Sequence, residues 1–159
     1  MKTIFTYLVG ILFICLSHGQ NIQFSDNGFR QYCLDNFDSN NDNKISLAEA
    51  ASVRKIDIGY SNNSTPQYNF TITDLSDLFY FKNVNKILIG FQNISVPIDL
   101  NTNIKLRRLS FKSFTAPYID INSLKKLKKF DLTHDIFSNI SLYTKIDFPS
   151  DGSLNNVKL

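Results

Sequence analysis

Residues 106–132 read LRRLSFKSFTAPYIDINSLKKLKKFDL, and this stretch decides the fold. It opens with LRRLSF from Leu106, and the matching segment LKKFDL begins at Leu127. Apolar residues occupy positions 1, 4 and 6 of both copies. Because residues two apart share one face of a strand, we expect each copy to form a short strand with positions 4 and 6 pointing inward.

The same motif occurs nearer the N terminus. VNKILI begins at Val84, one repeat before LRRLSF. VRKIDI, which begins at Val53, is an earlier copy and is followed by a longer insertion. A second register agrees, since apolar-x-apolar triplets begin at Ile98, Ile119 and Ile140. Both registers share a period of about 21–22 residues, which is typical of leucine-rich repeats, whose units bury their apolar faces only by stacking. The sequence therefore predicts an α/β repeat, a short solenoid over residues 57–148; the alternative is an ordinary β-rich domain.

Two features depart from a regular repeat. In a regular repeat, Asn side chains at one position of each copy form a ladder that satisfies backbone groups. This position is held here by Gln92, Phe114 and Asp135, so we expect the ladder to be degenerate or absent. After Leu142 a further copy needs apolar residues near positions 148, 151 and 153, and only Phe148 fits. Residues 149–159 are then either an improvised cap or a frayed end.

Residues 38–49, DSNNDNKISLAE, carry the chemistry of the chain. Side-chain oxygens fall at loop positions 1, 3, 5, 9 and 12, and position 7 offers a backbone carbonyl. These candidate calcium ligands are Asp38, Asn40, Asp42, Lys44, Ser46 and Glu49. Calcium takes about six to eight hard oxygens, and a chain that wraps the ion presents one at every second residue. The loop resembles an EF-hand loop.

The loop departs from the usual pattern at two positions. Asn43 stands at position 6, where a sharp turn with positive φ usually requires Gly, and Asn tolerates that conformation better than other residues with a side chain. Ala50 follows the loop where a bulky apolar residue is common. Since a single loop is visible, we expect a weak structural calcium site, with a Kd on the order of 10⁻⁴–10⁻³ M. The alternative is an Asn/Asp-rich turn that caps a helix without an ion.

The residues on both sides of the loop predict helices. An apolar stripe at helical spacing enters it, formed by Phe24, Phe29, Tyr32, Cys33 and Phe37. Ser46-x-x-Glu49 is a capping-box pattern that starts a second helix, at about residues 47–54. Residues 20–56 are therefore predicted to form a helical cap, in which Cys33 is a buried core thiol.

Residues 1–19 have the pattern of a secretory signal peptide. Lys2 is followed by an apolar run to Leu16, and small residues precede a cleavage site before Gln20. A membrane anchor is the alternative, but the run is shorter than the roughly 20 residues that a span needs. Lipidation at Cys15 is disfavoured because Ile14 precedes it. Cleavage removes one charged residue, Lys2, so the small net positive charge of the chain falls further. The remaining net charge is too small to favour nucleic acid as a partner.

The order of these segments resembles secreted leucine-rich-repeat proteins common in the Bacteroidetes, which carry an N-terminal EF-hand-like unit, and is similar in layout to the internalins. The match rests on residues 37–50, on Val53 and Ile56-Asp57, and on the L-x-x-L-x-x-F stretch from Leu75 to Phe81. The resemblance implies a secreted or cell-surface protein, with a periplasmic location possible, that binds Ca²⁺ and acts as a monomeric interaction module.

The outward positions of the predicted strands suggest a ligand surface. Lys86, Arg108 and Lys129 stand at the third position of three copies and would form a basic stripe at a strand spacing of about 4.8 Å. The partner would be a protein or an anionic surface polymer. The alternative interpretation is that these charges only keep the sheet soluble.

Enzymatic function has little support in the sequence. Two histidines and two cysteines exclude Cys-only zinc cages and most His-based catalysis, and no phosphate-binding loop is present. A cluster of Asp131, His134 and Asp135 is the sole candidate for a small secreted hydrolase. A further alternative is that the chain is a fragment of a larger surface adhesin. In a eukaryotic protein, the Asn-x-Ser/Thr sequons would be glycosylation sites. They lie at Asn62, Asn63, Asn69, Asn93 and Asn139.

Overall fold

A computed structural model describes residues 20–59, 71–133, 145–152 and 154–158. The predicted signal peptide lies outside the described residues, as do four of the five sequons. Three helical segments precede most of the strands: α1 is Asn27–Phe37, α2 is Leu47–Ser52, and a 3₁₀ helix covers Ser76–Tyr80. The predicted helical cap is thus built of two helices, and the second ends at Ser52 rather than near residue 54, because Val53 adopts an extended conformation.

Eight short strands form two sheets in the described part of the chain. They are β1 (Lys55–Ile58), β2 (Lys86–Gly90), β3 (Ile98–Asp99), β4 (Arg108–Lys112), β5 (Tyr118–Asp120), β6 (Lys129–Thr133), β7 (Lys145–Asp147) and β8 (Asn156–Lys158). The larger sheet has the order β1-β2-β4-β6-β8 and the smaller one the order β3-β5-β7. Every neighbouring pair is parallel. The fold class is therefore α/β, with parallel sheets and few helices.

The repeat determines the register of the larger sheet. Position 4 of the motif is held by Ile56, Ile87, Leu109 and Phe130, which lie side by side in β1, β2, β4 and β6. Position 6 is held by Ile58, Ile89, Phe111 and Leu132 in the same order. All eight side chains are at most 5% exposed. The inward orientation predicted for these two positions is confirmed.

The third triplet predicted for the second register, which begins at Ile140, lies outside the described residues, and the strand that follows β5 in the smaller sheet starts later in the chain. In the smaller sheet Ile98 pairs with Ile119, but the residue in register with Ile119 is Ile146 and not Ile140. The third copy therefore begins later in the chain than a constant period predicts, with Asp147 opposite Asp120. The strand motif is Ile-Asp, and a short insertion separates its last copy from the one before.

The segment predicted as a cap or frayed end contributes a strand. Val157 of β8 lies opposite Phe130 of β6, so the larger sheet continues beyond residue 148. β8 is exposed throughout, with Val157 at 47% exposure. Phe148 packs edge-on against Phe130, with ring centroids 5.2 Å apart, and covers part of the last buried layer.

The helical cap and the sheets share one core. Phe29 of α1 is fully buried and lies 5.8 Å, centroid to centroid, from Phe81, which ends the 3₁₀ segment. Phe24 precedes α1 but still packs edge-on against Phe29. Cys33 is buried as predicted, and burial together with the nearby Asp77 carboxylate raises the pKa of its thiol. A protonated, buried thiol is a packing group and not a nucleophile.

Candidate functional site

Two helices hold the loop of residues 38–49 at its ends. Asp38 is the C-terminal cap residue of α1. Ser46 is the N-cap of α2 and forms the predicted capping box with Glu49, in which each side chain accepts a hydrogen bond from the other residue's backbone amide. Such caps satisfy amides that an isolated helix end leaves unpaired. The capping box thus fixes the C-terminal end of the loop at the start of α2.

The first half of the loop turns around the Asp38 carboxylate. Its oxygens accept hydrogen bonds from the amides of Asp42, at 3.2 Å, and Asn43, at 2.9 Å. Asn40 Oδ1 also accepts from the Asp42 amide, at 3.0 Å. Asn43 has φ 59°, and Asn41 has φ 58°. The positive φ expected at loop position 6 is therefore present, and Asn43 adopts it in place of Gly.

Glu49 closes the loop from the other end. Its Oε1 accepts from the amide and hydroxyl of Ser39, at 2.9 and 2.8 Å, and its Oε2 accepts from the amide and hydroxyl of Ser46, both at 2.9 Å. Burial of the carboxyl opposes ionisation, but these hydrogen bonds outweigh it and lower the pKa of Glu49 to about 2. Glu49 is an ionised carboxylate at neutral pH that joins the two ends of the loop.

The segment of residues 20–22 pairs with the end of the loop. Ile45, at position 8, is 1% exposed and plugs the base of the loop. Its carbonyl accepts from the Ile22 amide at 2.8 Å, and the Leu47 amide donates to the Gln20 carbonyl at 3.0 Å. Asn21 and Ser46 thereby form an isolated antiparallel bridge. The sequence pattern gave no sign of this pairing.

The three carboxylates among the predicted ligands do not form a ready metal cluster. In the described residues, no group of three or more Asp, Glu, His or Cys side chains lies close enough together to hold a metal ion. The Asp42 carboxylate is turned toward the Lys44 amide, 2.9 Å away, and both residues are exposed. The donor set still suits a hard cation, since it consists of oxygen atoms alone.

The predicted basic stripe lies on the larger sheet. Lys86, Arg108 and Lys129 occupy equivalent positions in β2, β4 and β6 and are direct neighbours across the sheet. Asp131, 4% exposed, lies beside two of them. Its Oδ2 is 3.4 Å from Arg108 Nη2 and 3.3 Å from Lys129 Nζ. Arg108 and Lys129 are therefore partly neutralised. In β2, the strand of Lys86, the position equivalent to Asp131 is held by the buried Leu88, which carries no charge.

Sequence reasoning missed the central row of that face. Leu88, Ser110 and Asp131 stand at position 5, where alternation predicts exposure, yet all three are at most 4% exposed. Ser110 Oγ donates to Asp131 Oδ2 at 3.1 Å. The sequence could have predicted this contact from the repeat, because Ser110 and Asp131 stand one repeat apart and are therefore neighbours across the sheet.

Buried amides partly replace the expected Asn ladder. Gln92 accepts from the Ile72 amide and donates to the Gly90 carbonyl, both at 3.3 Å, whereas Phe114 packs against Phe111. Asn103, not predicted, is fully buried, and its Nδ2 donates to the carbonyls of two residues in the preceding turn, at 2.9 and 3.0 Å. Asp135 lies outside the described residues. At the two positions that the structure describes, one side chain bonds to backbone groups and the other does not.

The described residues add little to the hydrolase alternative. Of its three candidate residues, Asp131 is held in the ion pairs given above, while His134 and Asp135 are outside the described ranges. Among the residues described, no helix combines the length and apolar character needed to cross a membrane.

The fold and site define the class of the protein as α/β with two parallel sheets and a helical N-terminal segment that carries an oxygen-rich loop. No protein-family model matches the chain, and a search of curated proteins finds no match either.

Proposed function

We propose that the protein is a secreted, calcium-stabilised leucine-rich-repeat module that binds a partner and has no catalytic role. In this proposal residues 20–56 form an EF-hand-like cap on a solenoid of parallel strands, and the ion stabilises the cap. The observation that carries the proposal is the constant register of equivalent residues across β1, β2, β4 and β6. Stacked units of this kind present an extended surface for recognition.

Three observations support calcium as the ion. The candidate donors are oxygen atoms, the turn at Asn43 has the required positive φ, and the Asp38 and Glu49 carboxylates both accept hydrogen bonds from amides of the loop. The three carboxylates of Asp38, Asp42 and Glu49 together carry enough negative charge to neutralise a divalent cation. Because these hydrogen bonds already order the loop, calcium would add stability to a formed structure and would not switch it between two states.

Calorimetry with and without calcium tests this part of the proposal. At a calcium concentration ten times the Kd, linkage predicts a stabilisation of about 1.4 kcal/mol, hence a rise in Tm of about 3–6 °C for a domain of this size. Asp38→Asn should abolish the rise, while Asp35→Asn, an exposed change on α1 before the loop, should retain it. Equal Tm values in calcium and in chelator, with no heat of calcium binding, would refute the site.

The proposed partner surface is the outward face of the larger sheet, at Lys86, Arg108 and Lys129. Charge complementarity favours an acidic protein or an anionic polymer. Lys86 gives the sharpest test, because Asp131 already engages the other two cations. Lys86→Glu should weaken binding of an acidic partner, and Lys112→Glu, at the far end of β4, serves as the control with the same charge change. Unchanged binding by Lys86→Glu would show that the face only confers solubility.

A further inference from the structure

The N-terminal ends of the large-sheet strands carry a second cationic surface. The chain has 17 Lys and Arg residues. Eleven of them lie in the runs of residues 51–55, 82–86, 104–108 and 125–129, which lead into and begin β1, β2, β4 and β6 and contain no acidic residue. Three of the eleven, Lys86, Arg108 and Lys129, belong to the sheet face described above; the others are Arg54, Lys55, Lys82, Lys105, Arg107, Lys125, Lys126 and Lys128.

A cleft of about 460 Å³ opens in this surface. Its lining consists of four cations and two amides: Arg54, Asn83, Asn85, Lys105, Arg107 and Lys126. No ion pair joins any of these cations to a carboxylate within the described ranges, in contrast to Arg108 and Lys129 on the neighbouring face. The cleft thus brings together four cations that no carboxylate of the described residues pairs with.

The backbone holds these side chains at a regular spacing. The Asn85 amide donates to the Arg54 carbonyl, the Arg107 amide to the Asn85 carbonyl, and the Lys128 amide to the Arg107 carbonyl, each at 2.9 Å. Successive residues of this ladder are therefore one strand spacing apart, about 4.8 Å. Lys105 and Lys126 stand one repeat apart in the same way, so the cations recur along a line across the strands.

Two side chains of the cleft are held in place by neutral partners. Arg54 Nη1 donates to the carbonyls of Ala51 and Ser52 at the C-terminal end of α2, at 2.7 and 2.9 Å. Lys105 Nζ donates to Asn83 Oδ1 at 2.5 Å. These bonds orient the cations without neutralising them, which lowers the conformational entropy that a ligand would otherwise have to remove.

We infer that this cleft binds a linear anionic polysaccharide, whose carboxylate or sulfate groups pair with the row of cations and whose hydroxyls bond to Asn83 and Asn85. The absence of any aromatic side chain from the described lining argues against single-stranded nucleic acid, which stacks its bases on such rings. The absence of apolar side chains from the same lining argues against a peptide with buried anchors. The inference rests on the proposed function and deepens it by naming the class of partner, and it places the contact at the strand ends.

Fluorescence anisotropy with end-labelled polymers tests the inference. The probes are a sulfated chain (heparin), a carboxylated chain (polygalacturonate) and a neutral chain (dextran). The full-length protein should bind at least one anionic chain, with an affinity that falls as salt is added, and should not bind dextran. The two anionic probes distinguish sulfate from carboxylate recognition.

The decisive variant is Lys105→Gln/Arg107→Gln/Lys126→Gln. It should bind about tenfold more weakly, since each exposed pair contributes a modest energy. The control Lys112→Gln/Lys145→Gln/Lys158→Gln removes the same charge away from the cleft and should stay within about twofold. If the cleft variant does not fold, as judged by circular dichroism, the single change Lys126→Glu replaces it.

Three results would overturn the inference: no affinity for either anionic polymer, equal losses in the cleft and control variants, or tighter binding of an acidic peptide or oligonucleotide. Lys86→Glu separates this inference from the proposed sheet face. If Lys86→Glu abolishes binding while the cleft variant retains it, the proposed face stands and the cleft does not. If the cleft variant loses binding while Lys86→Glu retains it, the polysaccharide binds in the cleft.

Discussion

At the scale of single residues, Asn43 shows how the loop forms without its usual glycine. The residue has φ 59°, a conformation that costs a side-chain-bearing residue energy and costs Gly almost nothing. The cost is smaller for Asn than for most others because its short polar side chain bonds locally. The Asp38 carboxylate, which accepts from the Asn43 amide at 2.9 Å, compensates for part of the remaining cost.

Replacing Asn43 with Gly should therefore affect the stability of the fold. We expect Asn43→Gly to be more stable than Asn43→Ala by about 1 kcal/mol, because Gly adopts the positive φ without strain and Ala does not. Urea denaturation in chelator measures the difference, and comparing the two variants with each other cancels the loss of the Asn side chain. Equal stability of Asn43→Gly and Asn43→Ala would contradict this account.

The Glu49 carboxylate makes stability depend on pH. Its pKa is about 2 in the folded protein against an ordinary value of 4.5. A lowered pKa means that ionised Glu49 stabilises the fold above pH 4.5, and that this contribution is lost as pH falls from there toward about 2. The contribution is on the order of 2 kcal/mol, set by the hydrogen bonds from Ser39 and Ser46.

Urea unfolding in chelator at several pH values tests this dependence. Glu49→Gln should be less stable than wild type at neutral pH, and the gap between the two should narrow as pH falls through the acidic range. Chelator removes calcium from the comparison. Two stability curves that run parallel from neutral pH to about pH 3 would show that Glu49 is not the titrating group.

At the scale of elements, three strands of the larger sheet end in the same unusual conformation. The residues that follow β1, β2 and β4 are Gly59, Phe91 and Ser113, with φ of 70°, 58° and 46°. Phe91 and Ser113 turn the chain out of the larger sheet toward the segments that lead to β3 and β5. Of the three residues, only the one after β1 is glycine, so the other two positions carry strain that the surrounding structure enforces.

Ser113 allows this strain to be measured. Ser113→Gly and Ser113→Ala both remove the hydroxyl and its contacts, but only Gly relieves the positive φ. We expect Ser113→Gly to be more stable than Ser113→Ala by about 1 kcal/mol in urea denaturation. Comparing the two variants with each other cancels the loss of the hydroxyl. Equal stability would mean that the turn is not strained.

The elements also show what the sequence can and cannot specify. Apolar spacing located β1, β2, β4 and β6 correctly, because inward residues of a strand must alternate whatever the rest of the fold does. It misplaced the third copy of the second register, since an insertion changes the period and Ile140 imitates the motif. Ile146 preserves the Ile-Asp pair that Ile98 and Ile119 also have, and this stronger similarity identifies the strand.

Features that depend on distant parts of the chain were harder to predict from the sequence. Asn103 bonds to carbonyls of the preceding turn, and Asp131 is buried between two cations, although both positions look like ordinary surface residues. The loop of residues 38–49 was easier to interpret, because its chemistry is contained in one continuous segment. Only its pairing with the segment around Ile22 required the folded structure.

At the scale of the whole molecule, the helical cap is joined to the sheets through Asp26. Its Oδ1 accepts from the Phe29 amide at 2.7 Å and caps α1, while its Oδ2 accepts from the amides of Thr73, at 3.0 Å, and Asp74, at 3.2 Å. Burial opposes ionisation of this carboxyl, but the hydrogen bonds from these residues lower its pKa. One carboxylate thus fixes both the start of a helix and the segment that leads to the 3₁₀ helix.

Gly28 makes this joint possible and provides its test. A Cβ built there would lie 2.3 Å from the Thr71 carbonyl oxygen and 3.1 Å from Asp26 Oδ1. In most helices Gly→Ala stabilises by about 1 kcal/mol. Here we expect Gly28→Ala to destabilise by about 1–3 kcal/mol, because a backbone carbonyl must move away and take the Asp26 contacts with it.

Urea denaturation and hydrogen exchange together identify the cause of that loss. Gln31→Ala, on the exposed face of the same helix, should change stability by no more than about 0.5 kcal/mol. In Gly28→Ala the amide hydrogens of Thr73 and Asp74 should exchange faster, because the Asp26 carboxylate that accepts from them has been displaced. If Gly28→Ala proved more stable than wild type with those amides still protected, the cap would not be packed against residues 71–74 in the way described.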